Sequence, residues 1–141
     1  MDQLSLFENE GYNFPEELLH FEPTFLSQEA ADDLFNLLMR EVPWQQTSKK
    51  MYDRRILTPR LTAWYGDERK TYQLGGKTIF VNPWLTALKE LKVQIEEQFQ
   101  CTFNTVLLNL YRDNNDSVAW HRDRESELGN KPVIGSVSLG Q

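Results

Sequence analysis

Cysteine is nearly missing from this chain: Cys101 is the only one, so no disulfide can form within it. That poverty predicts a reducing, cytoplasmic setting, with Cys101 as a small core residue. Histidine is almost as scarce, at two residues, which limits how many imidazole ligands a metal could find. No apolar run approaches the length needed to span a bilayer, so membrane embedding is not expected. Positive charge is also short, with 15 Lys and Arg against 21 Asp and Glu, a net charge of −6. A general electrostatic attraction to nucleic acid is therefore not on offer. The deficit is uneven. Met1 to Glu41 holds Arg40 as its single basic residue, whereas Lys49, Lys50, Arg54, Arg55 and Arg60 face only Asp53 between positions 49 and 60. That segment could follow phosphates, or simply be a solvated strand and loop.

What is present is a foldable core. The 141 residues are 40% hydrophobic and 12% aromatic, which argues for one globular domain rather than disorder. Residues 1–23 are acidic, broken by Gly11, Pro15 and Pro23, and read as an arm laid over it. Ser27 is placed to cap a helix carrying Ala30, Ala31, Leu34, Leu38 and Val42 on one stripe, and Pro43 stops it. Residues 44–65 suggest two short strands separated at Pro59, and Gly66-Asp67 and Gly75-Gly76 read as turns. Asn82 and Pro83 read as the cap and first position of a second helix, which would carry Trp84. Leu85, Leu88, Leu91, Ile95 and Phe99 form its apolar stripe. Residues 103–111 predict a strand with Val106, Leu108 and Leu110 on one face and Thr105, Leu107, Asn109 and Tyr111 on the other. Further strands are expected at 117–121 and 133–139. Helices and strands in this order predict an α+β domain with a largely antiparallel sheet.

The chemistry concentrates between Asn109 and Leu128. Alternate residues of a strand share a face, so Asn109 with Tyr111, and His121 with Asp123, would each project into one space across the turn Asp113-Asn114-Asn115-Asp116. One imidazole and one carboxylate are two parts of the two-His-one-carboxylate set that binds non-haem iron(II). The competing reading is a His and an Asp on the wet face of a hairpin, which a chain this acidic produces readily by chance. The other histidine, His20, sits in the arm and reads as a surface residue rather than the missing ligand.

Longer segments add to this. PRLTAWYGD (59–67), TYQLGGKT (71–78), NPWLTALKELK (82–92) and FNTVLLNLYRDNNDSVAWHRDRESELGNKPVIGSVSLG (103–140) resemble the AlkB-type dealkylases, in particular the human-type homologues 2 and 3. The resemblance implies a double-stranded β-helix (jelly-roll) core with supporting helices. It implies iron(II)- and 2-oxoglutarate-dependent, O2-consuming demethylation of bases such as 1-methyladenine and 3-methylcytosine in DNA or RNA. By position, His121 and Asp123 would ligate iron, and Asn109 and Tyr111 would line the 2-oxoglutarate pocket. Trp64, Tyr72, Leu74, Arg124 and Glu125 would meet the substrate base. Two of these depart from the pattern: Arg124 stands where relatives carry a second Asp, and Leu74 where they carry an aromatic ring. The family also continues past SVSLG with a second iron-binding His and two Arg. The expectation is thus an incomplete domain, inactive by itself, with an open sheet edge at which a second copy could pair. Two alternatives remain: an oxygenase of the same chemistry acting on a non-nucleic-acid substrate, and a catalytically dead relative that binds nucleic acid or a partner.

Overall fold

A computed structural model describes residues 20–51, 53–67, 71–74, 77–117 and 133–140. Two compact units divide the chain, one formed by Met1–Arg40 with Ser136–Gln141 and the other by Glu41–Gly135. Most of the predicted N-terminal arm lies outside the described residues.

The first unit is built on helix α1, Gln28–Glu41, of which only Glu41 belongs to the second unit. Its start is as expected: the Ser27 hydroxyl accepts from the Ala30 amide at 3.1 Å, satisfying one of the unpaired N–H groups of a first turn. Ala31 and Leu34 are partly covered and Leu38 is buried, while Ala30 is exposed. Within the same unit the chain returns at Gly140, in the left-handed region (φ 79°). A Cβ at Gly140 would come within 2.7 Å of the Phe35 ring, so both conformation and space require glycine. Val133–Leu139 is not the strand its β-branched residues predicted. A strand needs a ladder partner, and none pairs with it among the described residues. Val133, Ile134 and Val137 are exposed.

Among the described residues the second unit holds seven strands and helix α2. Strands β1 (Ser48–Met51) and β2 (Arg54–Leu57) form one antiparallel hairpin, and β4 (Thr71–Leu74) and β5 (Lys77–Phe80) form another. The central sheet has the order β6-β3-β7, with β3 (Leu61–Gly66) between β6 (Asn82–Pro83, parallel) and β7 (Thr105–Leu110, antiparallel). The segment 44–65 thus yields more strand than expected: two hairpin strands, most of β3, and a bridge between Gln45 and Thr62. Register in β3–β7 sets Ala63 against Leu108 and Tyr65 against Val106, and Ala63, Tyr65 and Leu108 are buried. With Val42 and Leu88 they make the core of this unit.

Asn82 and Pro83 do not start the second helix. Helix α2 runs Thr86–Phe99, its N-cap is Leu85, and no side chain caps it. Asn82 instead sits in β6 and donates its Nδ2 to the Trp64 carbonyl at 2.8 Å. Pro83 lies in an edge strand, where a missing N–H is tolerated. Trp84 accordingly precedes the helix. Its indole Nε1 donates to Asp67 at 3.1 Å, and Lys92 lies over its ring.

Candidate active site on the β3–β7 sheet

The face of the central sheet away from the core carries the predicted co-substrate residue. Asn109 is exposed, directly opposite Thr62 in the ladder. One step along, Trp64 opposes Leu107. Trp64 and Asn109 are thus diagonal neighbours on one face, positions about 7–8 Å apart in an antiparallel pair. Leu107 is 37% exposed where its neighbour Leu108 is 8%, so the two faces are cleanly separated. Tyr111 follows β7 at the same end and is 47% exposed. Two residue types from separate parts of the chain, an aromatic ring and a carboxamide, are therefore brought to one surface.

Asn109 is not left to rotate. Arg60, immediately before β3, donates its Nε to Asn109 Oδ1 at 3.0 Å. With its oxygen engaged, the carboxamide offers its Nδ2 hydrogens to a ligand, and the guanidinium places a permanent positive charge beside them. The pair is suited to an oxo acid. Nothing in periodicity or composition marks Arg60 as an Asn109 partner.

Beyond Tyr111 the chain makes the expected polar turn, and it is tightly closed. Asp116 accepts from the Arg112 backbone N and Nε at 2.8 Å each and from Nη2 at 3.0 Å. Asp113 accepts from the Asn115 amide at 2.8 Å. The Arg112 guanidinium holds the Asp116 carboxyl down at about 2, below its ordinary value of 3.8. Ser117 then donates its amide to the Pro59 carbonyl at 2.6 Å, the residue adjoining Arg60.

Tyr72 and Leu74 lie on β4 in register with Ile79 and Lys77. His121, Asp123, Arg124 and Glu125 lie outside the described residues, as do Gly75-Gly76 and most of the strand expected at 117–121. Among the described residues no three His, Cys, Asp or Glu side chains are placed to hold a metal ion. His20 is an exposed residue bonded to Glu22 at 2.9 Å, as its position in the arm suggested. Asn109 and Arg60 supply donors of the kind a 2-oxo acid takes, and an imidazole with a carboxylate, as in the predicted pair His121 and Asp123, is a ligand combination that suits iron(II). A cleft of about 260 Å³ lies at the opposite end of the ladder, lined among the described residues by Asp67, Trp84, Lys89 and Lys92.

The signature of the 2OG-Fe(II) oxygenase superfamily matches residues 19–141, and the chain belongs to that superfamily, whose enzymes use iron(II), 2-oxoglutarate and O2. Within it, the alpha-ketoglutarate-dependent dioxygenase alkB homolog 3 of Bos taurus is 45% identical over 119 residues, and that of Homo sapiens 44%. Both alignments cover 84% of this chain. The human DNA oxidative demethylase ALKBH2 is 34% identical over 113 residues, or 78% of the chain. The chain spans 41% of the length of the two alkB homolog 3 proteins and 43% of the third relative.

Proposed function

We propose that this chain contributes the co-substrate side and two metal ligands to an iron(II)- and 2-oxoglutarate-dependent demethylase acting on N-alkylated bases in DNA or RNA. The observation that carries the reading is Asn109, exposed on the open sheet face, bonded to Arg60 and diagonal to Trp64. Identity of 44–45% to dioxygenases dependent on alpha-ketoglutarate, and 34% to a DNA oxidative demethylase, supports the substrate class. The core is proposed to be a jelly-roll, of which β3 and β7 are central strands.

In this reading His121 and Asp123 hold the iron, which when bound supplies the oxidising chemistry that removes the N-methyl group. Asn109 Nδ2 and the Tyr111 hydroxyl donate to 2-oxoglutarate, and Arg60 keeps the carboxamide turned toward it. Trp64 supplies an aromatic face for the base. Tyr72 and Leu74 cover the base, while Arg124 and Glu125 read its edge. A methylated base is hidden inside a duplex, so it must be flipped out or presented on a single strand. Lost pairing at the lesion makes that extrusion cheaper. The exposed Arg54 and Arg55 of the β1–β2 hairpin give the acidic chain a local basic surface for the phosphates.

The test is to supply the full-length protein with iron(II), 2-oxoglutarate and oligonucleotides carrying 1-methyladenine or 3-methylcytosine. Succinate and unmethylated base should appear together, and His121→Ala should abolish both. Turnover with N-methylated amino acids but not with oligonucleotides would assign a different substrate.

A further inference from the structure

Arg112 and Asp116 lie in no predicted site, yet they complete a closed circuit around Asn109. From Asn109 the chain runs through Tyr111 to Arg112, whose backbone N, Nε and Nη2 all donate to Asp116. The next residue, Ser117, donates its amide to the Pro59 carbonyl, and Arg60 returns to Asn109 Oδ1. Pro59 and Arg60 are themselves anchored. The Arg60 amide donates to the Thr58 carbonyl at 2.9 Å, and the Thr58 amide to the Thr47 carbonyl at 2.8 Å. Every link in this circuit is short, and its only charged side-chain pair is Arg112–Asp116. The Asp116 side chain is only 6% exposed whereas that of Arg112 is 45% exposed, so the carboxylate is the fixed post and the arginine folds over it.

An ordinary surface ion pair at this spacing contributes little. This one differs in taking two guanidinium bonds and a backbone amide on one carboxylate, a geometry that fixes the turn rather than merely neutralising charge. It sets the shape of the 112–117 turn together with two local bonds, the Asn115 amide to the Asp113 carboxylate at 2.8 Å and the Asp116 amide to the Asp113 carbonyl at 3.2 Å. The Ser117–Pro59 bond and the aim of Arg60 depend on that shape.

We infer that the Arg112–Asp116 pair is a positioning element for the co-substrate site, transmitting the closed turn through Ser117, Pro59 and Arg60 to the Asn109 carboxamide. The inference rests on the reading that Asn109 binds 2-oxoglutarate. Neither residue touches that ligand. Their effect is to narrow the orientations Asn109 adopts before the ligand arrives.

The experiment compares the full-length protein with Asp116→Ala, Arg112→Lys and, as a control, Lys92→Gln. The control removes another i,i+4 ion pair of this unit, Lys92–Glu96 on α2, which lies outside the circuit. Two readouts are taken: amide hydrogen exchange at Ser117, Arg60 and Asn109, and the KM and kcat for 2-oxoglutarate. Asp116→Ala should speed exchange at Ser117 and Arg60 and raise KM on the order of tenfold while leaving kcat nearly unchanged. Arg112→Lys, which keeps the charge but loses the fork, should fall between Asp116→Ala and the parent. Lys92→Gln should leave both readouts where they are.

Two results overturn the inference: Asp116→Ala with parental KM, or KM raised equally by Lys92→Gln through general loosening. If the parent itself does not bind 2-oxoglutarate, the proposed function fails separately. Exchange at Arg60 and Asn109 then still decides whether the pair orders the circuit, and unchanged protection in Asp116→Ala overturns it.

Discussion

Arg60 and Asn109, 49 residues apart, share a 3.0 Å hydrogen bond from Nε to Oδ1 at the open edge of the site. The bond fixes which end of the carboxamide faces a ligand, so its loss frees the wrong rotamer as well as removing a nearby charge. Arg60→Ala should weaken 2-oxoglutarate binding by about fivefold, the equivalent of roughly 1 kcal/mol for one hydrogen bond. Arg60→Lys should not restore it, because an ammonium does not reproduce the planar Nε donor. Titration calorimetry with 2-oxoglutarate measures both. Parental affinity in Arg60→Ala would reduce the bond to a strand-end clip.

The two faces of β7 make a sharper test of register than either strand alone. Leu108 is buried at 8% exposure, and Leu107 on the opposite face is at 37%. Leu108→Ala should cost about 2–5 kcal/mol through lost burial and a residual cavity. Leu107→Ala should cost less than about 1 kcal/mol. Urea unfolding monitored by tryptophan fluorescence compares the two. A slip of one residue would reverse the order.

Gly66 closes β3 where the chain entering β6 and the start of β7 both crowd it. A Cβ there would sit 3.0 Å from Thr105 Cγ2, 3.1 Å from the Asn104 carbonyl oxygen and 3.3 Å from Val81 Cγ2. The Asn104 oxygen is backbone and cannot swing aside. Gly66→Ala should therefore destabilise by about 1–3 kcal/mol. Adding Thr105→Ser removes the methyl contact and should recover only part of the loss. Complete recovery in the thermal midpoint would place the strain on Thr105 alone.

The parts legible in the sequence were those set by local periodicity. The Ser27 cap, most of the α1 and α2 stripes (Ala30 and Phe99 being exposed), and the alternation that puts Leu108 inward and Asn109 outward follow from spacing alone. The polar turn at 113–116 was legible for a related reason, since Asp and Asn side chains bond their own backbone. Asn82-Pro83 misled because the same dipeptide suits a helix start and an edge strand. The Trp64 carbonyl, eighteen residues away, decided between them. Val133–Leu139 misled because β-branched composition says that a segment could be a strand, not that a ladder partner exists. Arg60 was invisible as a site residue, since its partner is long-range and a lone arginine has no pattern. The AlkB-type resemblance drawn from the sequence falls within the 2OG-Fe(II) oxygenase superfamily to which the chain belongs. That agreement came from long matching runs rather than from His121-x-Asp123, which alone was weak.

Asp116 should leave a signature in acid. Its carboxyl sits at about 2 in the folded chain because Arg112 holds the charged form, against an ordinary value of 3.8. As pH falls from about 4 to about 2 the unfolded carboxyl binds its proton first, so the unfolded state holds more protons across that window. The stability contributed by the depressed carboxyl is therefore complete above the ordinary value and is lost as pH falls through the folded one. Glu96 acts in the same direction, held low first by the Phe103 amide and then by Lys92. A single acid curve would mix the two groups. Asp116→Asn should be less stable than the parent at neutral pH and should lose stability less steeply between pH 4 and 2. Glu96→Gln should flatten the remaining slope independently, because the two carboxyls share no bonding partner. Thermal midpoints recorded from pH 6 to 2 for the parent, both single variants and the double variant test this. An Asp116→Asn curve parallel to the parent throughout would mean that Arg112 does not hold the carboxylate in solution.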